Sequence, residues 1–75
     1  MKEIIFHPHV IRKMRERDLS ADDIIATVQN PQSVSMGDYG RKVAHRLHGK
    51  YWLKVIYEEN EKHILVITAY PTKKR

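Results

Sequence analysis

The chain has 75 residues and no cysteine, and 14 Lys and Arg residues against 9 Asp and Glu residues give it a formal net charge of +5. This length excludes a second domain, and the absence of cysteine excludes a disulfide framework, a thiolate nucleophile and a thiolate metal site. No apolar run approaches the ~18 residues of a membrane span, and the N-terminus lacks a secretory signal. We therefore expect one domain over residues 1–75, cytoplasmic and without a membrane partner.

Residues 2–6 predict a brief strand, and Pro8 suits the first turn of a helix that runs from about Pro8 to Arg17. At 100° per residue this helix has a narrow apolar stripe, suited to packing on a sheet. The stripe comprises Val10, Ile11 and Met14.

A polar row lies beside that stripe and comprises His9, Lys13 and Arg17. Arg17 is the member nearest to the apolar residues. We therefore expect its aliphatic stem to be partly buried and its guanidinium to be held in place.

A second helix is predicted from Ser20, whose hydroxyl can cap the first turn, with Asp23 three residues later in a capping-box-like position. It ends at Asn30-Pro31. Its predicted apolar face comprises Ala21, Ile24, Ile25 and Val28. Beyond it, Val34 and Met36 are compatible with a short strand in an otherwise small and polar segment.

Three strands are predicted next, over about Arg41–Leu47, Tyr51–Glu58 and His63–Tyr70. The last is apolar on both faces, which places it in the interior of a sheet. The sequence thus predicts an α+β fold in which two N-terminal helices pack on one face of a three- to four-stranded antiparallel sheet, with the other face open.

The turn after Leu47 decides which side chains share the open face, because a shift of one residue exchanges the two faces of a strand. A three-residue loop leaves Lys42, Arg46, Trp52 and Lys54 on that face. A two-residue turn instead groups Val43, His45, Leu47, Trp52, Lys54 and Ile56. The first register is preferred because it separates apolar from basic side chains more cleanly.

Positive charge is concentrated in two stretches. Residues 41–50 carry four basic residues and no acid, and the chain ends in Lys73-Lys74-Arg75, whereas residues 21–40 carry three acids and no base. Such a distribution favours a polyanionic partner, most often nucleic acid. The alternative is the solvated surface of a basic protein.

Short motifs along nearly the whole chain resemble an uncharacterised family of short prokaryotic proteins that is distantly similar to the RelE, ParE and BrnT toxins. The motifs are His9 with Lys13-Met14 and Arg17, Leu19-Ser20, Asn30-Pro31, Gly40-Arg41, Leu53–Tyr57 and Val66–Tyr70. The resemblance implies a RelE-like α+β fold, an RNA-directed and toxin-like function, and an antitoxin protein as partner.

The resemblance also implies metal-independent cleavage of RNA, without a cofactor. Such cleavage needs an acid and a base, and cations that hold the phosphate. The catalytic candidates are His9, Arg17 and Arg46. The candidates for binding nucleic acid are Lys13, Lys42, Trp52 and Lys54. Because His7 precedes His9, the sequence leaves open which imidazole acts.

Other interpretations stand beside this one. His9 and Arg17 can be structural, with Arg17 paired to an acid such as Asp18, Asp22 or Asp23. The basic face can bind RNA, DNA or an acidic protein without catalysis, and an open sheet edge with Trp52 can form a homo-oligomer. Five histidines invite a metal hypothesis, but a helix that starts at Pro8 spoils the His7-Pro8-His9 geometry, so no metal site is predicted.

Overall fold

In the computed structural model, which describes residues 2–72, two helices, five strands and one short 3-10 turn follow one another along the chain. They are β1 (Glu3–Phe6), α1 (Pro8–Arg17), α2 (Ala21–Gln29), β2 (Ser33–Met36), the 3-10 turn (Asp38–Gly40), β3 (Lys42–His48), β4 (Tyr51–Glu59) and β5 (His63–Thr72). None of the helices in this part of the chain has the length and apolar character needed to cross a membrane. The basic tail Lys73–Arg75 lies outside the described residues.

The fold is α+β, as predicted, but the sheet is larger and mixed. Its strand order is β1-β5-β4-β3-β2, and β1 pairs parallel to β5, with Ile4 opposite Ile64 and Phe6 opposite Val66. The expectation of three to four antiparallel strands was therefore wrong. The interior position predicted for β5 is correct, because β1 and β4 flank it on either side.

Local side chains define where both helices begin. His7 caps α1 by accepting a hydrogen bond from the backbone N–H of His9 at 3.0 Å, and Pro8 follows at the first helical position. Ser20 caps α2 by accepting from the backbone N–H of Asp23 at 3.1 Å. Asp18, in the left-handed region at φ 55°, ends α1 and lets the chain turn into α2.

Both helices pack on the same face of the sheet and enclose a small core. Its buried members are Val10, Leu19, Ile24, Val28, Ala44, Leu53, Val55, Tyr57, Val66 and Ala69. The predicted helix faces are only partly correct: Ile11 is 45% exposed and Ala21 is exposed, whereas Thr27 is fully buried in α2. Short helices on a five-stranded sheet therefore bury a narrower stripe than the sequence pattern indicates.

The turn between β3 and β4 has two residues, not the three of the preferred register. Leu47 lies opposite Trp52 and His48 opposite Tyr51, with Gly49-Lys50 between the strands. Gly49 has a φ of +63°, the left-handed conformation that tight hairpins require at their first central position. The alternative two-residue register is thus the observed one.

Candidate nucleic-acid interface

The observed register divides the predicted binding residues between the two faces of the sheet. Arg46 lies opposite the buried Leu53, and Lys42 lies opposite the buried Tyr57, so both belong to the helix-covered face. Trp52 and Lys54 belong to the open face. The prediction that Arg46 and Trp52 are neighbours on one surface was therefore wrong.

The end of the open face nearest the β3–β4 turn carries two rows of side chains that run across β3, β4 and β5. One row comprises Leu47, Trp52 and Thr72, and the next comprises His45, Lys54 and Tyr70. We call these six residues the platform. The platform contains two aromatic rings, a lysine and an imidazole but no acid, and Trp52 and Tyr70 are both half-buried. Its composition suits a planar, anionic ligand better than a hydrophobic one.

Two cations lie against one ring of the platform. The Lys54 ammonium is 5.5 Å and the Arg17 guanidinium carbon 5.7 Å from the centroid of the Tyr70 ring. Both distances fall within the ≈ 6 Å at which a cation is attracted by a ring quadrupole. Arg17 therefore adds its charge to the platform although it comes from α1.

Arg17 is held there by the backbone of β5. Its Nη1 donates a hydrogen bond of 3.1 Å to the carbonyl oxygen of Ala69. Because β1 pairs with β5 only as far as Val66, that carbonyl belongs to a segment without a second strand neighbour among residues 2–72. The guanidinium is thus fixed, as predicted, but the residue as a whole is exposed, and the bonded oxygen is a carbonyl rather than an Asp carboxylate.

The predicted catalytic residues contact different parts of the molecule. His9 is exposed in the first turn of α1, eight residues before Arg17, which corresponds to about 12 Å along a helix axis. Arg46 donates a hydrogen bond of 2.7 Å to the carbonyl oxygen of Asn30, at the C-terminal end of α2. The geometry does not bring these three side chains around one point, and their role in catalysis stays a prediction.

Lys13 and Lys42 each contact a carboxylate. Lys13 lies 3.1 Å from Glu16 on the same helix. Lys42 and Lys2 both donate to Glu59, at 2.7 and 2.6 Å. The hydrogen bonds from Lys2 and then Lys42 lower the pKa of Glu59, and the hydrogen bond to Glu59 raises the pKa of Lys42. This pair of bridges ties the start of β1 to β3 and β4.

Sequence reasoning missed a polar cluster between α2 and the β3–β4 hairpin. The His48 ring lies 2.8 Å from the Thr27 hydroxyl through Nε2 and 3.7 Å from the Asp23 carboxylate through Nδ1. Tyr51 donates to the same carboxylate at 3.4 Å, and burial, followed by the charge of Asp23, raises the pKa of Tyr51. The only sequence signal was the capping position of Asp23.

The cluster has the residue types of a hydroxyl–imidazole–carboxylate catalytic triad, but its hydrogen bonds indicate a structural role. Thr27 is fully buried, and its single hydroxyl proton is donated to the backbone carbonyl of Asp23 at 2.8 Å. A buried hydroxyl with that bond is not available to attack a substrate. The cluster therefore fastens the hairpin to α2.

Two further features lie away from the platform. A groove of about 430 Å³ on the helix side contains none of the predicted site residues, and its lining is Lys2, Ile4, Val28, Gln29, Asn30 and Ile64. Over residues 2–72, no group of three His, Asp or Glu side chains is arranged to hold a metal ion.

Comparison with known proteins identifies one family. The sequence model of a family described as "Domain of unknown function (DUF4258)" matches residues 6–71, which include both helices and nearly all of β2 to β5. No curated protein and no solved structure matches the chain. These comparisons do not connect the chain with the RelE, ParE or BrnT toxins, so that resemblance stays an expectation from the sequence.

Proposed function

The chain belongs to the DUF4258 family of domains of unknown function, and we propose from its own geometry that the platform binds single-stranded RNA. One observation carries the proposal: two cations, Lys54 and Arg17, lie against the ring of Tyr70 on the platform, which has a second aromatic residue and no acid. The proposal develops the RNA-directed function expected from the sequence: it keeps the candidates Trp52, Lys54 and Arg17 and adds Tyr70.

Single-stranded nucleic acid is recognised by aromatic rings that stack on its bases and by cations that neutralise its phosphates. Trp52 lies opposite Thr72, and Lys54 lies opposite Tyr70, so the two rings are diagonal neighbours on β4 and β5. Diagonal neighbours are ~7–8 Å apart, within reach of aromatic side chains. Trp52 and Tyr70 are therefore spaced for two bases, with Lys54 and Arg17 beside them for the phosphates.

Trp52 offers a direct test because it is the only tryptophan in the chain. Stacking of a base on its ring should quench the intrinsic fluorescence when a single-stranded RNA oligonucleotide is added, and a duplex of the same sequence should quench it less. Trp52→Ala should weaken binding of labelled RNA by about 5- to 150-fold, the ~1–3 kcal/mol of one stacked base. Unchanged fluorescence at saturating RNA would contradict the proposal.

The charge contribution is tested with a matched pair of lysines. Lys54→Gln should reduce the slope of log affinity against log salt by about 1, because one phosphate contact is lost. Lys62→Gln removes the same charge from the exposed turn before β5 and should leave the slope unchanged. Equal effects of the two variants would mean that net charge, and not the platform, binds the RNA. A DNA strand of the same sequence tests whether the 2′-hydroxyl matters.

A second candidate function, metal-independent cleavage of RNA, is favoured by one specific observation: His45 shares a row with Lys54. Its Nδ1 lies 3.5 Å from the Ser33 hydroxyl. In this reaction a base removes the 2′-hydroxyl proton, and the resulting oxygen attacks the adjacent phosphorus. The 5′-oxygen leaves with a proton from an acid, which yields a 2′,3′-cyclic phosphate and a 5′-hydroxyl. An imidazole opposite a lysine on the platform suits either proton transfer.

Cleavage is tested by incubation of labelled RNA with the protein in EDTA. We expect His45→Ala to abolish cleavage and His9→Ala to leave it, because only His45 lies on the platform. The reverse result would restore the assignment made from the sequence, and binding without cleavage by the parent protein would leave only the binding function. An antitoxin partner of a toxin-like protein would act by covering the platform, in competition with RNA for Trp52.

A further inference from the structure

The edge strand β2 is exposed along its whole length and carries two exposed apolar side chains, Val34 at 48% and Met36 at 69%. It pairs with β3 on one side, and within residues 2–72 no strand pairs with it on the other. Residues 30–37 contain no charged side chain. An outer row of unpaired backbone groups beside apolar side chains is a template for another strand.

The opposite edge of the sheet, formed by β1 and the end of β5, carries charged residues and prolines. β1 begins at Glu3, next to Lys2, and Pro8 follows two residues after its end. The part of β5 that extends beyond β1 is capped by Arg17 and contains Pro71. Charges and prolines of this kind block the addition of a further strand. Within Ser33–Met36, β2 has neither a charge nor a proline, although Pro31 lies two residues before it, so β2 is the edge that remains competent for pairing.

We propose that β2 pairs antiparallel with β2 of a second copy of this chain, about a two-fold axis at Ser35. In that register Val34 of each copy lies beside Met36 of the other, on the helix-covered face. On the open face the two Ser35 side chains meet, and Ser33 lies opposite Gly37. Every position is thus matched with a compatible one, which is what a self-complementary two-fold interface requires.

The charge distribution also favours this position over others for contact between two copies. Two molecules of net charge +5 repel each other over most of their surface, and β2 is an uncharged stretch at which they can approach. A two-fold axis normal to the sheet keeps both platforms on the same side of one ten-stranded sheet. The dimer therefore presents two RNA-binding surfaces side by side, although its formation does not depend on RNA.

The mass in solution tests the pairing without nucleic acid. Sedimentation of the full chain should give twice the 8.9 kDa of one copy, with dissociation on dilution. Met36→Lys should shift the protein to the single-copy mass with an unchanged circular dichroism spectrum. Ile11→Lys introduces the same charge at another exposed apolar residue, on α1, and should leave the dimer intact. A parent protein that stays at 8.9 kDa at millimolar concentration, or a Met36→Lys variant that dimerises like the parent, would overturn the proposal.

The position of the axis has its own test, because the chain has no cysteine. Opposite residues in an antiparallel pair have Cα atoms ~4.5–5.5 Å apart, within the range that a disulfide spans. Oxidised Ser35→Cys should form a covalent dimer rapidly, whereas Leu47→Cys, exposed on the open face, should remain a single chain. Equal cross-linking of both variants, or none of Ser35→Cys, would contradict pairing at Ser35.

Discussion

The two faces of the sheet use the same basic residue types for different purposes. On the helix-covered face, the guanidinium of Arg46 is bonded to the end of α2 and the ammonium of Lys42 to Glu59. On the open face, Lys54 lies against an aromatic ring, and Arg17 reaches the same ring from the edge of the sheet. Four cations that look equivalent in the sequence are therefore divided between fastening the fold and presenting charge to a ligand.

The largest expected difference between the faces is in packing. Leu53→Ala removes a fully buried side chain beneath the helices and should lower the free energy of unfolding by about 2–5 kcal/mol. Leu47→Ala, at 44% exposure on the open face, should cost less than about 1 kcal/mol. Urea denaturation monitored by circular dichroism measures both. Similar losses for the two variants would show that the open face is covered in solution.

Arg46→Ala should separate structural charge from ligand-binding charge. Loss of the 2.7 Å hydrogen bond to Asn30 should lower the free energy of unfolding by about 1 kcal/mol, because it leaves the C-terminal end of α2 without a cation. RNA affinity, measured below the unfolding transition, should change less than twofold. A large loss of affinity with unchanged stability would return Arg46 to the binding site.

Arg17 comes from α1 and contacts the platform, so its variants should lower both the stability of the fold and the binding of RNA, each by a small amount. Arg17→Ala should lower the melting temperature by a few degrees (about 2–6 °C), because a hydrogen bond and a cation–π contact are lost. It should also reduce the salt slope of RNA binding by about 1. Arg17→Lys should retain the slope. If Arg17→Ala affects stability alone, Arg17 is only structural.

The smallest expected effect is pH-dependent and lies on the side of the helices. The lowered pKa of Glu59 stabilises the fold above the carboxylate's ordinary pKa, near 4.5, and this contribution is lost as the pH falls through the folded-state value. Glu59→Gln should therefore lower the melting temperature by about 1–5 °C at pH 7 and by almost nothing at pH 3. An equal decrease at both pH values would mean that the Lys2 and Lys42 bridges contribute no charge-dependent stability.

Features that depend on neighbouring residues were predictable. The cap at Ser20, the proline at the start of α1 and the break at Asn30-Pro31 each act within one helical turn, and the structure places them as expected. The apolar character of β5 likewise indicated its interior position. The apolar residues of β1 indicated a brief strand, but four residues are too few to show a period, so neither its parallel pairing with β5 nor the five-stranded order of the sheet was predictable from the sequence pattern.

The sequence by itself determined two helices, a sheet with one open face and a surplus of positive charge, because capping, periodicity and composition are local or additive. Only the tertiary structure decided which charges share a surface. A turn of two residues rather than three between β3 and β4 changed which side chains of these strands share a face. The short β1 leaves the carbonyl of Ala69 without a strand partner on that side among residues 2–72, and its hydrogen bond with Arg17 fixes that side chain against Tyr70. Register and strand edges depend on residues far apart in the chain, and those contacts determine where a ligand can bind.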